Sequence, residues 1–132
     1  MKRIEVAVGV LFNEQGEVLI GQRVVKDNYY QKWEFPGGKL EQGESPQDAL
    51  IREFREEVGI EIASSENFMV LEHNYPDRHV RLHVQVIKKF AGHASSMEGQ
   101  ALKWLALSDL ESIDFLQGNQ AIVDALIEQQ KK

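Results

Sequence analysis

The sequence predicts an α+β fold with helices packed on a mixed β-sheet, and three observations predict it. Five segments show the apolar alternation or turn-bounded runs expected of strands. Two others carry helical spacing, one of them framed by clear start and stop signals. The order along the chain is strands, helix, strands, helix, an arrangement that layers helices against a sheet.

Val6, Val8, Val10 and Phe12 alternate with smaller residues and form the first strand. Asn13-Glu14-Gln15-Gly16 is a turn, and Glu17 to Arg23 is the return strand. Residues 24–32 are polar and read as a loop. In Trp33-Glu34-Phe35-Pro36-Gly37-Gly38, a proline followed by two glycines interrupts regular structure. Ser45 reads as an N-cap with Pro46 at the first helical position and Asp48 three residues after the cap. The helix then spans 46–58 and stops at Gly59. Residues 66–75 and 79–90 pair as strands around Tyr75-Pro76-Asp77, with Val80, Leu82, Val84 and Val86 alternating with Arg81, His83 and Gln85. Residues 91–100 are a loop and 102–107 a strand. Ile122, Ala125, Leu126 and Gln129 place a last helix over 118–130.

The 132 residues suit a single domain over 1–132 that buries its own core. The absence of cysteine excludes disulfides, thiolate nucleophiles and cysteine zinc sites. A net charge of −6 opposes stable binding to a nucleic-acid backbone. A small polyanion can still bind if positive charge is supplied locally, and divalent metals would supply it. No apolar run is long enough to cross a membrane. The start Met1-Lys2-Arg3 is basic, but Glu5 interrupts the apolar stretch after it and no small-residue cleavage site follows. A cytoplasmic monomer is expected.

Glu53, Glu56 and Glu57 stand three and four positions apart and share one helix face. Leu50, Phe54 and Val58 form the apolar stripe beside them. Three adjacent carboxylates repel one another, and hard cations such as Mg²⁺ or Mn²⁺ are their natural compensation. The plain alternative is a solvated acidic face paired with Arg52 and Arg55. Its neighbours decide against it. Gly38, Glu44 and Arg52-Glu53-Phe54-Arg55-Glu56-Glu57-Val58-Gly59-Ile60 satisfy the pattern Gly-x5-Glu-x7-Arg-Glu-U-x-Glu-Glu-x-Gly-U, where U is bulky and apolar, throughout its 23 residues. In this the chain resembles the Nudix hydrolases.

The resemblance implies an α/β/α sandwich and a divalent-metal site held by Glu53, Glu56, Glu57, Glu98 and the Gly37 carbonyl. It also implies attack of water on the β-phosphorus of a nucleoside triphosphate, with release of a monophosphate and pyrophosphate. Glu53 and Glu98 are the candidate general bases. The likeness to the branch of the family that hydrolyses 8-oxo-dGTP extends over Ile4 to Val10, Trp33 to Lys39, Tyr75 to His79 and Glu98-Gly99-Gln100. It points to Arg23, Glu34, Phe35, Pro36, Gly37, Arg78 and Asn119 as substrate-binding residues. Oxidation of guanine at C8 turns N7 from an acceptor into a donor beside the O6 acceptor. The Asn119 amide can donate to O6 and accept from N7–H, whereas normal guanine leaves its carbonyl facing an acceptor. Alternatively, Asn119 caps the last helix. Phe35 either stacks on the base or belongs to the core. His73, His79, His83 and His93 lack ligand spacing and read as strand or surface residues. Other Nudix substrates, such as ADP-ribose, a dinucleoside polyphosphate or an ordinary dNTP, remain alternatives, as does an inert nucleotide-binding module.

Overall fold

A computed structural model describes residues 3–131; the basic start at Met1-Lys2 lies outside them. Strands β1 (Arg3–Val10), β4 (Gly37–Lys39), β5 (Glu61–Tyr75) and β6 (Arg78–Ala91) form one sheet in the order β4-β1-β6-β5. Within it β1 runs parallel to β6, and the other pairs are antiparallel. Strands β2 (Val18–Gln22), β3 (Trp33–Glu34) and β7 (Leu102–Leu105) form a second, antiparallel sheet in the order β3-β2-β7. The expected mixed sheet is therefore present, but β2 and β7 belong to a separate one.

Strand alternation determines which helix each residue meets. Ala7, Leu11 and Leu19 point to one side and are buried with Leu50, Phe54 and Val58 of helix α1 (Pro46–Val58). Val8, Val10, Val18 and Ile20 point to the other and are buried with Ile122, Val123 and Leu126 of helix α2 (Gln120–Gln130). The β-layer thus separates two apolar clusters, each covered by one helix, as the expected α/β/α sandwich requires.

Helix α1 has the predicted bounds because its signals are local. The Ser45 hydroxyl accepts from the Asp48 N–H at 3.1 Å, and Gly59 ends the helix at φ 70°. The predicted turn at Asn13–Gly16 also forms, with Asn13 Oδ1 accepting from the N–H groups of Gln15 and Glu17. Pro76-Asp77 makes a two-residue hairpin, since Tyr75 pairs with Arg78. Strand β5 begins at Glu61, earlier than expected, and irregularities between Ile62 and Met69 blur its alternation. The last expected strand ends at Leu105 and gives way to a 3-10 segment over Leu107–Ser112. Another 3-10 turn, Gln117–Asn119, precedes α2.

Candidate functional site

Arg52 ties the glycine-rich segment to helix α1. Its guanidinium donates to both carboxylate oxygens of Glu44, at 2.8 and 2.9 Å, and to the Lys39 carbonyl at 3.0 Å. The paired guanidinium holds the Glu44 carboxyl down at about 2. A further bond at 2.8 Å runs from Arg52 to Glu53 Oε1. The Glu53 carboxyl in turn lies against Gly38, where a Cβ would collide with it. Gly37 is packed as tightly, because a Cβ there would strike the Ala7 carbonyl. These two glycines therefore let the loop lie flat between β1 and the acidic face of α1.

The Gly37 N–H donates to Glu57 Oε2 at 3.1 Å. Burial, together with the neighbouring charges of Glu53, Glu98 and Glu34, pushes the Glu57 carboxyl up to about 8. Burial also raises Glu53, against the opposing pull of Arg52. Glu56 is more open, with its side chain 54% exposed and 3.5 Å from Arg52. Glu98 stands on the 95–100 loop, which is bound to the end of α1. The Ser95 and Met97 N–H groups donate to the carbonyls of Val58 and Glu57, and Gln100 Nε2 also donates to the Glu57 carbonyl. Gln100 Oε1 accepts from the Glu98 N–H at 3.2 Å. A residue 41 positions beyond Glu57 is thereby brought beside it.

Among the described residues, no three Asp, Glu or His side chains have closed to coordination distance. The donor set itself is wholly carboxylate and carbonyl oxygen, which fits a hard divalent cation. The raised Glu57 carboxyl marks where negative charge lacks compensation.

Two clefts adjoin at this point and share Arg23, Glu34 and Gly37. One is lined by Pro36, Glu57 and Glu98 and is the acidic end. The other is an open cleft with Val8, Val80 and Leu82 among its walls and Phe35, Arg78 and Asn119 facing it. Asn119 is only 4% exposed. Its Oδ1 accepts from the Phe35 N–H at 3.0 Å, and it makes no capping bond to α2. That bond fixes the amide orientation, since an N–H can only donate. The capping alternative is thereby set aside. Phe35 is 2% exposed and its ring lies parallel to Phe115 at 5.6 Å, so it is a core residue that also forms cleft wall.

The structure thus places all the expected site residues around two joined clefts, apart from Glu53 and Glu56, which do not line them but stand on the same helix as Glu57. The histidines lie elsewhere: His79 and His83 pair with Glu72 and Glu5 on the sheet, and His73 packs edge-on against Tyr75. Sequence reasoning missed Tyr75, whose hydroxyl accepts from the Gly118 N–H at 2.8 Å and whose ring faces the cleft. It also missed the bridging role of Gln100, and Tyr29, which stands behind both arginines. Tyr29 carries no local signal, whereas Tyr75 and Gln100 lie within segments that carry the family resemblance, and only their contacts were missed.

This architecture, a two-sheet layer between helices with a glycine loop laid against a carboxylate-bearing helix, is that of a Nudix domain. The NUDIX domain model matches residues 1–126, and the chain belongs to that family, whose hydrolases act on nucleotide derivatives with divalent metal ions. The 8-oxo-dGTP diphosphatase of Escherichia coli (strain K12) is 38% identical over 126 residues, covering 96% of this chain and 98% of that protein. The CTP pyrophosphohydrolase of the same organism is 38% identical over 104 residues, covering 79% and 76%. A solved MutT structure, from work on the Aliivibrio salmonicida and Vibrio cholerae proteins, superposes with a TM-score of 0.82 at 32% identity, covering 97% of this chain and 99% of that one. No helix among the described residues is long and apolar enough to cross a membrane.

Proposed function

We propose that this chain hydrolyses 8-oxo-dGTP to 8-oxo-dGMP and pyrophosphate with Mg²⁺, Mn²⁺ being able to replace it, and so keeps an oxidised precursor out of DNA. The observation that carries the reading is the buried Asn119 amide, held by the Phe35 N–H in the cleft that adjoins the acidic one. A purine held at Asn119 directs its phosphates past Arg23 and Gly37 towards Glu57 and Glu98. Oδ1 keeps a second lone pair for N7–H, and Nδ2 can donate to O6. Normal guanine would leave buried polar groups unpaired there.

Glu53, Glu56, Glu57, Glu98 and the Gly37 carbonyl would hold the divalent ions, which supply charge neutralisation to the phosphates. Arg23 and Arg78 bind the nucleotide, with the backbone of Glu34, Phe35 and Pro36 shaping the passage. Either Glu53 or Glu98 takes the proton of the attacking water, a role usually worth about 10²–10⁴ in rate. Glu98 is better placed, because no cation among the described residues is within ion-pair distance of it, whereas Arg52 engages Glu53. The enzyme works as a cytoplasmic monomer on the free nucleotide pool.

A substrate comparison tests this. Turnover of 8-oxo-dGTP, dGTP, CTP and ADP-ribose with Mg²⁺ is measured, with products identified. A kcat/KM for 8-oxo-dGTP at least about a hundredfold above that for dGTP is expected from one well-placed amide. Comparable values for the two purines would remove the sanitising role. Preference for CTP would favour the activity carried by the second relative.

A further inference from the structure

Two guanidiniums enter the cleft with an unusual support behind them. The Nε atoms of Arg23 and Arg78 are both buried and have no hydrogen-bond partner. A buried, unpaired cationic donor is costly, so it either receives a ligand acceptor or is held in place by something else. One aromatic ring supports both guanidiniums. Tyr29 lies 6.0 Å from the Arg23 guanidinium carbon and 5.2 Å from that of Arg78. Both distances are within cation–π range, and Tyr75 supports Arg78 further at 5.5 Å.

Tyr29 does not line the cleft, yet it is fixed more firmly than a loop residue usually is. Its hydroxyl donates to Asp77 Oδ1 at 2.9 Å, across 48 residues of sequence. Its N–H donates to Asp27 Oδ1 at 2.9 Å, and the other oxygen of Asp27 accepts from Arg23 at 2.7 Å. Its ring meets Tyr75 edge-on at 5.1 Å. The loop returns on itself through the Arg23 N–H to the Lys32 carbonyl at 2.9 Å. A residue in the loop after β2 is therefore bound to the hairpin turn between β5 and β6, and each of these two segments carries one of the arginines.

We propose that Tyr29 is a positioning residue for substrate binding. It holds Arg23 and Arg78 so that their guanidiniums are presented to the cleft and to the acceptor oxygens of a bound nucleotide. Tyr29 itself touches neither substrate nor metal. Its removal leaves the carboxylate chemistry intact and weakens nucleotide capture, because two flexible side chains must then be ordered at the moment of binding.

The inference rests on the proposed nucleotide-hydrolase reading, and the test separates the two. Tyr29→Leu and Tyr29→Phe are compared with the wild type for kcat and KM on 8-oxo-dGTP, Mn²⁺ affinity by titration without nucleotide, and Tm. Loss of two cation–π contacts in Tyr29→Leu is expected to raise KM roughly tenfold, with kcat and Mn²⁺ affinity unchanged. Tyr29→Phe keeps the ring and loses only the bond to Asp77, so its KM stays within about threefold of wild type. Unchanged KM in Tyr29→Leu overturns the proposal. So does a parallel loss of kcat, Mn²⁺ affinity and Tm in both variants, which would mean general support of the fold. If the wild type turns over another nucleotide in place of 8-oxo-dGTP, the substrate reading fails, and KM for that nucleotide decides the role of Tyr29 by the same criteria.

Discussion

Replacing Glu57 by glutamine removes a buried carboxyl whose ionisation the fold resists. Its pKa moves from an ordinary 4.5 to about 8 on folding, because burial and three neighbouring acids disfavour the anion. A folded-state pKa above the unfolded one means that the native state holds the proton more tightly. Stability contributed by the protonated group is thus full below about 4.5 and is lost as pH rises towards about 8. At about 1.4 kcal/mol per pKa unit, the ionisation penalty is on the order of 3 kcal/mol at pH 7. Glutamine cannot ionise, and its carbonyl can still accept the Gly37 N–H that now bonds Glu57 at 3.1 Å. Relaxation and the extra amide donor reduce the gain, so roughly 1–2 kcal/mol is expected at pH 7–8. The assay is urea unfolding in EDTA at pH 5 and pH 8. The variant should be more stable than the wild type at pH 8, with most of that difference gone at pH 5. Adding millimolar Mg²⁺ should reverse the order, because only the wild type gains the linkage stabilisation of a bound ion. The variant should also lose turnover while keeping its fold. Equal stabilisation of both proteins by Mg²⁺, or full turnover by the variant, would refute the assignment of Glu57 as a ligand.

Two further perturbations probe other parts of the site. Asn119→Ala should lower the ratio of kcat/KM for 8-oxo-dGTP over dGTP by about tenfold to a hundredfold, since one donor and one acceptor are lost; steady-state kinetics on both substrates checks it, and an unchanged ratio would exclude Asn119 as the base reader. Glu44→Gln should weaken the tie to Arg52. The Glu44 carboxyl is held at about 2, so its contribution is present above about 4.5 and lost as pH falls through about 2. Melting temperatures of the variant and wild type should therefore differ at neutral pH and converge in strong acid, and a difference that persists there would assign the tie to packing.

Helix α1 and its acidic face were legible in the sequence because the determinants are neighbours. Ser45, Pro46 and Gly59 set its ends through bonds spanning a few residues, and helical periodicity alone puts Glu53, Glu56 and Glu57 on one face. The Glu44–Arg52 pair lies within the same short motif. Alternation in β1 and β6 likewise revealed which residues enter the core, but it carries no record of which strand pairs with which. Only the tertiary structure decided that β1 lies parallel to β6, that β2 and β7 form their own sheet, and that β3 and β4, each two or three residues long, are strands at all. It also decided which residues meet at the second cleft. The Phe35 N–H meets Asn119 across 84 residues, and Tyr29 meets Asp77 across 48. Contacts of that span arise from the packing of whole sheets and leave no local pattern, so a residue such as Tyr29 reads as an ordinary loop position until the chain is folded.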